Sequence, residues 1–112
     1  MNYSNEPLLD QAILNENTMN SVPLQKELFE LFFEQGELYI AQLEDAVRDD
    51  DVTAWRMTAH GVKGASRSLG MTRLATIAME AERTAPNADR LASLRTILRE
   101  TRGHVWPKET AA

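Results

Sequence analysis

Residues 23–48 constrain the fold more than any other part of the chain. Leu28, Phe32, Tyr39, Leu43 and Ala46 recur near the three- and four-residue spacing of a single helical face, and Phe29, Phe33 and Ile40 widen that face. A strand would alternate every second residue, and no such alternation of useful length occurs here or elsewhere in the chain. An apolar face this broad belongs to a helix that touches two neighbours, so the remainder of the chain must supply packing partners.

Those partners are legible. A short helix is expected over residues 8–15, with Leu8, Leu9, Ala12 and Ile13 apolar. The polar link NENTMNS follows, with Asn20 or Ser21 as cap and Pro23 tolerated in the first turn of the long helix. Asp49-Asp50-Asp51 ends that helix, and Asp51 can cap the next, expected over residues 52–69. Gly70 is suited to a left-handed stop. A fourth helix is expected over residues 72–85, with Leu74, Ile77, Ala78 and Ala81 inward. Pro86-Asn87 punctuates the chain, and Asn87 can cap a fifth helix carrying Leu91, Leu94, Leu98, Thr101 and Val105, which Pro107 and the tail KETAA would end. Four substantial amphipathic helices with short links predict an all-α fold: an antiparallel up-down four-helix bundle with a short additional N-terminal helix.

Composition narrows the function. A chain of 112 residues fits one domain over 1–112, with a core of about 8–105 between short tails. There is no cysteine, which excludes disulfides and thiolate metal sites. His60 and His104 are the only histidines, too few for a histidine-rich metal centre; His104, near the end of the last helix, reads as a surface or end-cap residue. The net charge of −5 argues against a nucleic-acid binder. No apolar run approaches the ~20 residues of a membrane span, and MNYSNEPLLD lacks the basic-then-apolar layout of a signal peptide, so a cytoplasmic, monomeric protein is expected. The starting Met1 and the full bundle length fit a free-standing chain.

The third helix carries the chemistry. On a wheel at about 100° per residue, Val52, Trp55, Ala59, Val62, Ser66 and Leu69 form the inward stripe, and His60 lies roughly 130° from its centre, toward solvent. Arg56, Lys63, Gly64 and Arg67 are its neighbours at three, four and seven residues. Gly64 would leave the surface beside the imidazole bare, and Gly61 flanks it. Ser66, on the inward stripe, would bond back to a carbonyl one turn earlier. An exposed histidine alone is an ordinary surface residue, and two glycines can mark close helix packing instead. The conjunction of outward imidazole, glycine notch and basic neighbours makes a coherent site for a negatively charged group.

The stretch AHGVKGASRSLG closely resembles the signature of histidine-containing phosphotransfer (HPt) domains of two-component phosphorelays. Ala59, His60, Lys63, Gly64, Ser66 and Gly70 carry the match. LATIAMEAE resembles the family's leucine-rich segment ending in glutamate, with Glu82 in that place, and Phe32, Ile40, Leu43 and Ala46 fit the apolar spacing of the preceding helix. Gly61 stands where the family often has a hydroxylated or larger residue, and Val62 where it often has leucine.

The resemblance implies that His60 takes a phosphoryl group from a receiver-domain aspartate and passes it to another receiver. An imidazole is a good nucleophile when neutral, and its ordinary pKa near 6.5 leaves it mostly neutral at pH 7. Nε2, which projects furthest from the helix, is the expected acceptor. Lys63 would offset charge on the transferring group, with Arg67 or Arg56 in support. Arg56, Gly61, Gly64 and Arg67 would meet the partner, and Phe29 or Phe33 would add apolar docking contacts. The implied partners are response-regulator receiver domains, with a hybrid sensor histidine kinase as a further candidate. The chain itself would need no cofactor; Mg²⁺ is expected on the receiver. With no ATP-binding boxes and no GxxxxGK[ST] loop, it would be a phosphocarrier rather than a kinase. The competing readings are a helical module that binds or sequesters a receiver without accepting phosphate, and a small helical regulator unconnected with phosphate.

Overall fold

The computed structural model describes residues 6–105. Among them are five helices and no strand: α1 (Gln11–Asn17), α2 (Val22–Asp49), α3 (Val52–Ser68), α4 (Thr72–Glu82) and α5 (Ala88–Val105). Trp106, Pro107 and the tail lie outside the described residues.

The expected caps form. The Ser21 hydroxyl accepts from the Leu24 N–H, the Asp51 carboxylate from the Ala54 N–H and the Asn87 side chain from the Arg90 N–H. Asp50, in the left-handed region with φ 51°, closes α2 and leaves a two-residue link to α3. Two ends differ from the sequence expectation. The first helix begins at Gln11 instead of residue 8, because the Asp10 carboxylate caps it by accepting from the Ala12 and Ile13 N–H groups. Leu8 and Leu9 instead pack against the core as a non-helical lead-in. The fourth helix stops at Glu82, short of residue 85, because Arg83 and Thr84 tighten onto the Glu80 and Ala81 carbonyls ahead of Pro86, which disfavours helix just before it.

α2 packs on α3, α3 on α4, α4 on α5 and α5 back on α2. Phe29, Phe32, Phe33, Leu43, Trp55, Val62, Leu74, Ile77, Leu91 and Leu94 fill the space between them. The broad face of α2 therefore meets two neighbours, and Phe29 and Phe33 belong to this core, which removes them from the expected docking surface. Val52 departs from the inward stripe and is 43% exposed; as the first residue of α3 it stands where its partners no longer cover it. On α5, Ile97 is buried while Leu98 and Val105 are half-buried, and His104 is exposed in the last turn.

α3 makes its most extensive contact with α4. Both helices bury small residues, Ala59 and Ser66 on α3 and Ala75, Ala78 and Ala81 on α4, which lets the two backbones approach closely. Ser66 donates to the Val62 carbonyl at 2.6 Å, so its buried hydroxyl is satisfied within its own helix. The connection between the two helices turns at Gly70, whose φ of +76° is left-handed. The lead-in crosses this turn: the Asp10 N–H donates to the Gly70 carbonyl at 2.7 Å, and the Arg73 N–H donates to the Pro7 carbonyl. A Cβ at Gly70 would sit 2.5 Å from the Asp10 carbonyl oxygen. Gly70→Ala should therefore cost about 2–4 kcal/mol: roughly 1–2 for left-handed backbone and the rest for displaced lead-in hydrogen bonds. Urea denaturation of the variant beside wild type measures it.

Candidate functional site

The surface around His60 takes its shape from two helices. α3 presents the imidazole outward, with the side chain 65% exposed. α4 ends beside it, and Glu82, the last residue of α4, places Oε2 2.8 Å from His60 Nδ1. The other carboxylate oxygen, Oε1, pairs with Lys63 Nζ at 2.9 Å. One carboxylate therefore holds both the ring and the ammonium.

The register that brings Glu82 to this position is pinned by a neighbouring contact. Trp55, fully buried one turn before Ala59, donates its indole N–H to the Ala81 carbonyl at 2.8 Å. Ala81 immediately precedes Glu82, so the indole fixes the end of α4 against α3 just where the carboxylate is needed.

Electrostatics follow from this geometry. The Glu82 carboxyl is held below its ordinary range, first by the Lys63 hydrogen bond and then by that of His60, with desolvation opposing. A carboxyl with a depressed folded pKa stabilises the fold above its unfolded pKa and loses that contribution as pH falls through the folded value. Glu82 is thus ionised at neutral pH and can only accept hydrogen bonds. Nδ1 of the neutral ring must then carry the proton, which leaves the Nε2 lone pair free. Nε2 has no partner among the described residues, so its lone pair is open to solvent and chemically able to act as a nucleophile.

The predicted site residues fall in different environments. His60, Arg56, Gly64 and Arg67 are exposed on the outer face of α3. Lys63 leans off that face onto α4, its side chain only 19% exposed. The two glycines separate in role: a Cβ at Gly64 would meet nothing within 4 Å, whereas one at Gly61 would touch the Tyr39 ring of α2 at 3.4 Å. Gly64 is open surface, and Gly61 is a helix contact. Glu82 carries a role that the residue pattern alone did not assign. Its place at the end of the leucine-rich segment was visible, but its partner stands 22 positions away.

Among the described residues, no helix is long and apolar enough to cross a membrane. The family model described as Hpt domain matches residues 27–104, more than half of the 112-residue chain. No curated protein and no solved structure matches the chain significantly.

Proposed function

The chain belongs to the Hpt domain family, and from that premise we propose that it accepts a phosphoryl group on His60 Nε2 from a receiver-domain aspartate and hands it to a second receiver. Hpt domains are phosphocarrier modules of two-component signalling, not kinases, and they work with receiver domains and kinases. The observation that carries the assignment to His60 is the Nδ1–Glu82 contact at 2.8 Å beneath a ring whose far nitrogen is open.

In the forward step the Nε2 lone pair attacks phosphorus, the bond from phosphorus to the aspartyl oxygen breaks, and the receiver recovers its carboxylate. With the proton kept on Nδ1, the phosphorylated ring gains positive charge, which the Glu82 carboxylate offsets. Lys63, held at the same carboxylate, supplies positive charge near the transferring oxygens, and Arg56 and Arg67 add to it at the rim. The magnesium ion belongs to the receiver's carboxylates. Short connections between successive helices support the antiparallel up-down ordering, with the whole bundle acting as one domain and as a monomer in the cytoplasm.

The test is transfer of labelled phosphate from a phosphorylated receiver to the chain, giving an acid-labile, alkali-stable adduct as a phosphoramidate requires. Absence of label with every receiver of the source organism would defeat the assignment. Gly64→Gln should slow the same transfer at least tenfold, because its side chain would occupy the clear surface beside the ring. Its melting temperature should not fall, since glycine is the poorer residue in a helix interior. An undiminished rate would remove the clearance role of Gly64.

A further inference from the structure

We infer that Tyr39 is a specificity-determining contact for the docked receiver, its phenol hydroxyl bonding to a neutral polar group of the receiver beside the phosphoacceptor; this rests on the reading of His60 given above. Tyr39 reaches from α2 to the backbone of α3 at the residue next to His60: a Cβ at Gly61 would lie 3.4 Å from both Cε1 and Oη. The ring is half-buried and packs against the core. Its hydroxyl has no hydrogen-bond partner among the described residues and is not sealed from solvent. A fixed apolar body with a free polar tip can bond a partner at little entropic cost, which is why tyrosine recurs at interface hot spots.

The surroundings say what kind of group it meets. Tyr39 lines a groove of about 470 Å³ between α2 and α3, together with Gln42, Ala54, Met57 and Thr58. Met57 is 70% exposed and lies three residues before His60, on the same side of α3. The acids at the groove are already engaged: Asp45 and Asp49 pair with Arg48, and Asp51 caps α3. Tyr39 thus brings an uncharged hydroxyl and Met57 apolar contact to a groove whose carboxylates, though engaged, stay negative and disfavour an anionic group of the partner there. Its wall on α3 includes Met57 and Thr58, three and two residues before His60, and Tyr39 itself sits against Gly61, so a receiver seated on the imidazole lies next to it. Gly61 is what keeps the phenol there, because a branched side chain at that position would push the ring aside.

Saturation of phosphoryl transfer with receiver separates this role from chemistry. Tyr39→Phe should raise the half-saturating receiver concentration about three- to tenfold, the worth of one net hydrogen bond, and leave the maximal rate and the melting temperature unchanged. Gly61→Thr should raise the same concentration, and the double variant should be no worse than the stronger single one, because both act through one ring. A half-saturating concentration unchanged in Tyr39→Phe, with wild type labelled normally, overturns the inference and leaves the His60 assignment standing. A loss confined to the maximal rate also overturns it. Failure of wild type to take label overturns the His60 reading and this inference together.

Discussion

Replacing His60 with alanine is expected to abolish phosphoryl acceptance while leaving the fold intact. The two effects separate because the ring lies outside the core: its side chain is 65% exposed, and its only hydrogen bond among the described residues goes to Glu82. Glu82 is not stranded by the loss, since Lys63 still pairs with its other oxygen at 2.9 Å. Surface changes of this kind stay within about 0.5 kcal/mol, a shift of no more than about 4 °C in melting temperature for a domain of this size. Label transferred from a phosphorylated receiver should fall to background. His60→Gln sharpens the test, because its amide can still donate to Glu82 but offers no nucleophilic nitrogen. Labelling of either variant at the wild-type level would show that the acceptor is elsewhere.

Replacing Trp55 with alanine should have the largest effect on stability. The side chain is completely buried, and truncating a buried tryptophan typically costs about 3–5 kcal/mol, a large part of the 5–15 kcal/mol that holds a domain together. The loss is one of packing and register, not of an orphaned acceptor: the Ala81 carbonyl also accepts from the Thr84 N–H at 3.1 Å and the Thr84 hydroxyl at 3.0 Å. Trp55→Phe, which keeps most of the volume and lacks the indole donor, should lose much less. Denaturant midpoints for both variants, with unchanged slopes, test this. A Trp55→Ala variant as stable as wild type would mean that the indole does not pin α4. Because Ala81 precedes Glu82, Trp55→Ala should also slow transfer under conditions where the variant remains folded.

Much of this architecture is readable from the chain. On α3, the wheel correctly separates Trp55, Ala59, Val62 and Ser66 inside from His60 outside, because a helix of known period leaves no freedom in that assignment. The caps at Asp51 and Asn87 are equally plain, since capping depends on residues within one turn, whereas for α2 the sequence leaves Asn20 and Ser21 both open and the structure selects Ser21. Val52 shows where the method fails. Periodicity places it on the buried stripe, but burial at a helix end depends on whether a neighbour extends that far, and none does. Phe29 and Phe33 posed the opposite difficulty: a wide apolar face reads alike as core or as docking surface until the second neighbour, α5, is known to cover it.

The helical composition, the breaks at Asp49-Asp50-Asp51 and Gly70, and the outward direction of the imidazole were determined by the order of residues alone, because each rests on interactions spanning a turn or less. The Glu82 grip on Nδ1, the recruitment of Lys63 to the same carboxylate and the seat of Tyr39 over Gly61 were decided only by tertiary structure. They depend on how α4 and α2 slide and rotate against α3. That register is set by the buried indole and by small residues packing between helices, and no local periodicity encodes it.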